Sequence, residues 1–224
     1  MFGAWQAGAW RALAPAFQPD LIVGCSVGAL NGYAIAAGWT PEELCHWWRQ
    51  PGVASFKNLP KVIEGMMTRH LQREYALVVV DLLRMKPRTI LGPDVTAAHL
   101  LASCAVPGAM PPQRLDGSFY ADGGLLNPLP VWAAVQLGAT RIVAMNVLPQ
   151  VPSRILAPFV KGFRAVFGYR PPLPANVELT TLVPARQLGS MKSALVWEQG
   201  NVNRWIEEGA QAVERTFLRA FAND

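Results

Sequence analysis

The chain has 224 residues, 51% of them hydrophobic and 16% charged, which suits one compact domain with a sizeable core and excludes a disordered chain. Its net charge of +5 suits an anionic partner, either nucleic acid or acidic lipid, and the absence of any zinc-finger, RNP or arginine-rich module argues against nucleic acid. Apolar runs such as Leu21–Val23 and Ala76–Val80 fall short of the roughly 18 residues a membrane span needs, and no basic segment precedes an apolar run at Met1. The expectation is a cytoplasmic protein, peripheral at a membrane if its substrate is a lipid.

In chain order, Ala4–Leu13 reads as a short helix, Asp20–Cys25 as a strand and Val27–Gly38 as a helix. Pro41–Gln50 is a helix with Thr40 as N-cap and Pro41 at its first position. Ala76–Asp81 has the unbroken apolar character of a buried parallel strand. Thr96–Cys104 reads as helix, Val131–Leu137 as a helix stopped by Gly138, and Arg141–Val147 as a second buried strand. Val177–Leu182 is a strand, and Met191–Phe221 is one or two helices. The alternation predicts a layered α/β fold with a largely parallel sheet, as a single domain over 1–224 without repeats or linkers. The three cysteines, Cys25, Cys45 and Cys104, have no metal-ligand spacing and read as reduced, buried thiols.

The sharpest local feature is Gly24-Cys25-Ser26-Val27-Gly28, between a strand and a helix. This is the setting of a GxSxG nucleophile elbow, in which the serine sits on a strained turn. Gly24 and Gly28 leave room around it, and the helix start turns free N–H groups towards the site. An incidental serine in a glycine-containing turn would read the same way. A serine hydroxyl needs a base, yet His46, His70 and His99 all lie too early for the Ser…Asp…His order of α/β-hydrolases. They read as structural or surface residues. Acidic residues after them include Asp116 and Asp122. Asp122 ends a short strand and is followed by Gly123 and Gly124, so its carboxylate could meet a neighbouring turn, although Asp-Gly is also an ordinary turn signal.

Taken together, these blocks resemble the patatin-like phospholipase family. Gly24-Cys-Ser-Val-Gly-Ala-Leu-Asn-Gly32 is similar to its extended elbow, and Ala102-Ser-Cys-Ala-Val-Pro-Gly108 with Pro111-Pro112 to its helix and loop before the base. Asp116-Gly117 and Tyr120-Ala-Asp-Gly-Gly-Leu-Leu-Asn-Pro-Leu-Pro130 are similar to its base segment, and the likeness runs from about residue 3 to about 150. The resemblance implies a Ser–Asp dyad on lipid esters, Ser26 as nucleophile and Asp122 as base, with neither metal nor cofactor. It also implies a three-layer α/β/α fold, with a strand and glycine-rich oxyanion loop ahead of the first helix. Here Gly3 matches the last glycine of that segment, Phe2 replaces its arginine, and the rest is absent. A start placed at an internal methionine is the expected cause, a truncated form the alternative. That leaves Gly3 and the Ser26–Val27 backbone as oxyanion candidates. The rival readings are a weak or inactive patatin-like lipid-binding domain and acyl transfer to an acceptor other than water.

The residues after about Pro149 match no motif. Arg154–Phe167 carries an apolar helical stripe of Leu156, Phe159, Val160, Phe163 and Phe167, with Arg154, Lys161 and Arg164 opposite. Packing on the sheet is the expectation, and insertion into a lipid interface, along with Trp39, Trp47 and Trp48, is the alternative.

Overall fold

A computed structural model describes residues 2–53, 57–149, 157–169, 171–190, 193 and 196–221. The first helix, α1 (Gly3–Leu13), is buried on almost every side. It lies against the last one, α8 (Gln199–Phe221), so closely that a Cβ on Gly8 would stand 1.9 Å from the Ile206 carbonyl oxygen. Gly209 answers from the other helix, where a Cβ would come within 2.0 Å of the Trp5 oxygen. The paired glycines let two backbones touch, and Trp205, Ile206 and Val202 fill the seam around them.

Strand β1 (Leu21–Gly24) leads into α2 (Val27–Ala36) and then α3 (Pro41–Trp48). Thr40 caps α3 as expected, and Glu43 answers it from the third position in a full capping box. Helix α4 (Leu59–Met66) follows, then β2 (Glu74–Asp81) and β3 (Lys86–Leu91). Helix α5 (Ala97–Ser103) is capped by Thr96, with His99 returning the cap bond. Strands β4 (Gln113–Leu115) and β5 (Ser118–Asp122) form a hairpin. Its two turn residues, Asp116 and Gly117, have φ of 48° and 77°, the left-handed pair that such tight turns require. After α6 (Val131–Gln136) the chain turns at Gly138, with φ of 92°, into β6 (Arg141–Met145). Helix α7 (Ala157–Phe167) and β7 (Glu178–Leu182) precede α8.

The sheet around β2 explains how distant residues meet. One edge of β2 is taken along most of its length by antiparallel β3. The opposite edge is shared. Strand β1 runs parallel to β2 as far as the Gly24–Leu77 pair, and β5 runs antiparallel from Asp81–Tyr120 to Val79–Asp122. The C-terminal ends of β1 and β5 therefore face each other across Val78. Ala76–Val80 is buried throughout, as its apolar run predicts.

Strands β6 and β7 pair in parallel as a second sheet. The open edges of β1 and β6 line one cleft of about 600 Å³, bridged where the Gln6 amide donates to the Met145 carbonyl at 3.3 Å. No helix among the described residues is long and apolar enough to cross a membrane.

Candidate active site

Ser26 occupies the turn between β1 and α2 with φ of 54° and ψ of −131°, a conformation that side-chain-bearing residues rarely adopt. Gly24 makes the turn sterically feasible, since a Cβ there would sit 2.2 Å from the Gly28 carbonyl oxygen. Gly28 differs from expectation. A Cβ on it would first meet the Gln6 side chain at 3.6 Å, an ordinary contact, so the space beside it is open. The Gly28 N–H is engaged with the Cys25 carbonyl at 2.9 Å, and the Ser26 N–H with the Ser103 hydroxyl at 3.0 Å. Val27 opens α2, and among the described residues its N–H has no protein acceptor, as first-turn geometry dictates.

Gly3 has a packing role. Its carbonyl accepts from the Asn31 side chain at 2.9 Å, and a Cβ on it would lie 2.2 Å from the Trp48 ring. Trp48 in turn donates to Asn31 Oδ1 at 2.7 Å, which knits α1, α2 and α3. Trp48 is thus core, as is half-buried Trp47 stacked edge-on against it at 5.0 Å.

Asp122 ends β5 and caps the 3₁₀ turn Gly123–Leu125 by accepting the Gly124 N–H at 2.7 Å. Its own N–H donates to Ala105 at 3.1 Å. Gly123 lies so near β2 that a Cβ would come within 2.3 Å of the Val78 oxygen, and a Cβ on Gly124 would press the Asp122 carboxylate at 3.0 Å. The two glycines therefore seat the carboxylate beside the elbow, where the Ser26 side chain is among the groups that favour its ionised form. Burial raises the Asp122 pKa from 3.8 to about 6. The Ser26 and Gly124 hydrogen bonds and the charge of Arg164 pull the other way. Cys25, next to the serine, is buried with its thiol directed at the Pro128 carbonyl at 3.6 Å. Burial, then the Asp122 charge, push its pKa upwards, so it is an inert thiol. Cys45 and Cys104 are likewise free and buried.

Two neighbours escape a sequence reading. Arg164 on α7 was expected on a polar outer face. It turns inward and donates to the Gly124 carbonyl at 2.8 Å and the Leu125 carbonyl at 3.2 Å. Outward on the same helix stand Val166, 73% exposed, and Phe167, 42% exposed, which corrects the expected polarity at this end. Arg154–Leu156 lie outside the described residues, as do the side chains of Phe159, Val160 and Phe163. The second neighbour is Ser103, the polar residue of a largely apolar helical turn, fully buried behind the elbow. The histidines stand apart: His46 is exposed against Gln50, His70 is exposed, and His99 serves the cap of α5.

A hydroxyl on a strained turn, a carboxylate poised near neutrality and an open N–H at a helix start are the parts acyl transfer needs. Residues 1–95 and 86–135 match the family model described as patatin-like phospholipase. The chain is also 30% identical over 161 residues to a protein of Mycobacterium bovis and to its counterparts in two strains of Mycobacterium tuberculosis, each described as an uncharacterised NTE family protein. These alignments cover 62% of this chain and 44% of each relative, so the chain spans less than half the length of the curated relatives it matches.

Proposed function

Because the chain belongs to the patatin-like phospholipase family, we propose that it is a serine acyl hydrolase of lipid or other carboxylic esters, with Ser26 as nucleophile and Asp122 as base. The observation that carries this reading is the convergence of β1 and β5 on one edge of β2, where the strand that leads into Ser26 and the strand that ends at Asp122 face each other across Val78. The hydroxyl oxygen of Ser26 attacks the ester carbonyl as its proton passes to the carboxylate. The tetrahedral oxyanion takes the Val27 N–H. Collapse expels the alcohol, which leaves with the proton from Asp122, and an acyl-Ser26 ester remains. Asp122 then takes a proton from water as that water attacks the acyl group, and returns it to Ser26 as the acid departs.

Two features bear on how far the activity extends. Among the described residues one elbow N–H, that of Val27, is left for the oxyanion, and a single such donor is worth about 10²–10³ in rate. This favours, as a second reading, a slow enzyme or a lipid-binding domain. The outward Val166 and Phe167, with exposed Lys161 on the same helix, support contact with a lipid surface on the α7 side, close to the Asp122 turn that Arg164 holds. Turnover of a short-chain p-nitrophenyl ester, compared with folded Ser26→Ala and Asp122→Ala, tests the proposal. Loss of nearly all turnover in both variants supports it. A folded parent no faster than Ser26→Ala removes it in favour of the binding domain.

A further inference from the structure

Ser103 is 0% exposed, and a buried hydroxyl is tolerated only when its hydrogen-bonding capacity is used. Both of its principal roles are taken. Its oxygen accepts the Ser26 N–H at 3.0 Å, and its hydrogen goes to the Val78 carbonyl at 2.9 Å. Val78 is the residue of β2 left between the ends of β1 and β5. Its carbonyl faces the shared edge, because a Cβ on Gly123 would stand 2.3 Å from the same oxygen. One hydroxyl therefore links the backbone of the strained serine to the carbonyl on which the Asp122 turn rests.

We propose that Ser103 is a positioning residue of the Ser–Asp site. It acts through Ser26: its bond to the N–H holds the serine in its left-handed conformation and fixes the elbow at a set height along β2, opposite Asp122. Without that hydroxyl the Ser26 N–H and the Val78 carbonyl each lose this partner, and the turn is free to relax towards ordinary φ. A second consequence is that the Ser26 N–H takes no part in the oxyanion hole, because it is already committed to Ser103. The inference rests on Ser26 and Asp122 being the catalytic pair, and its geometric half is separable from that reading.

The test is Ser103→Ala in the full chain, with p-nitrophenyl butyrate as substrate and backbone amide hydrogen exchange at Ser26 as a second readout. A positioning role predicts that kcat falls by about 10- to 100-fold while KM stays within about twofold, since misplacement by about 1 Å costs rate rather than binding. The Ser26 amide should exchange faster, by a larger factor than β2 amides. Should the alanine variant not fold, Ser103→Cys is nearly isosteric with a weaker acceptor, and the same split at smaller amplitude is expected. An unchanged kcat, or a rate loss accompanied by uniform exchange across β2 and the elbow, overturns the proposal in favour of simple core packing. If the folded parent itself lacks turnover, the catalytic reading of Ser26 fails. Exchange at Ser26 then decides whether Ser103 holds the elbow.

Discussion

Replacing Asp122 with Asn should remove most of the ester turnover and yet stabilise the fold. Burial lifts the folded-state pKa of Asp122 to about 6 from 3.8. The folded protein therefore binds this proton more tightly than the unfolded chain does. The resulting stabilisation is complete below the unfolded pKa and is lost as pH rises through about 6, so at pH 7 the ionised carboxylate is a liability. A shift of roughly two pKa units corresponds to about 3 kcal/mol. Asparagine cannot ionise, keeps an oxygen for the Gly124 N–H, and surrenders the attraction to Arg164. The net gain at pH 7 is expected at about 1–3 kcal/mol, or roughly 2–10 °C in Tm for a chain of this size. Thermal unfolding of parent and Asp122→Asn at pH 7, 5.5 and 4 reads it directly. The gap should narrow with falling pH and nearly close at pH 4. A variant less stable than the parent at pH 7, or a gain that ignores pH, would refute the reasoning. Turnover should fall by about 10²–10⁴, the worth of a general base.

The same carboxyl should set the acid limb of activity, with kcat/KM half-maximal near pH 6 in the parent. Because the charge of Arg164 lowers that pKa, Arg164→Met should move the limb to higher pH, and an unmoved limb would exclude the electrostatic role. Gly24→Ala should destabilise by about 3 kcal/mol or more, as its Cβ would meet backbone at 2.2 Å. Gly28→Ala meets only a side chain at 3.6 Å and should change stability by less than about 1 kcal/mol; equal losses in denaturant titration would contradict the local geometry. Val166→Asp should weaken co-sedimentation with phosphatidylglycerol vesicles several-fold and leave soluble-ester turnover within about twofold. Unaltered sedimentation would remove α7 as a lipid-facing surface.

Much of the scaffold was legible because its signals are local. Strand β1, the elbow, α2, and the cap at Thr40 follow from strand and helix patterning, steric need and capping chemistry within a few residues. Strand β3 was missed because Lys86-Pro87-Arg88 looks unlike a strand, and Pro87 is tolerated only because β3 pairs with β2 alone. Helix α4 is short, begins Leu59-Pro60, and lacks a side-chain cap to announce it. Strand β4 has three residues and exists through its hairpin with β5.

The residues at the site divide in the same way. The sequence alone determined that Ser26 sits on a glycine-cleared turn at a helix start and that Asp122 ends a strand before two glycines, because backbone sterics act between chain neighbours. Only the tertiary structure decided that β1 and β5 share one edge of β2 and bring the pair together, since strand order is a property of the whole sheet. It alone drew Arg164 to the Gly124 carbonyl from 40 residues away and set Ser103 between Ser26 and Val78. It also decided the Asp122 pKa, because removal of water from a carboxylate depends on everything packed around it and not on the residues beside it in the chain.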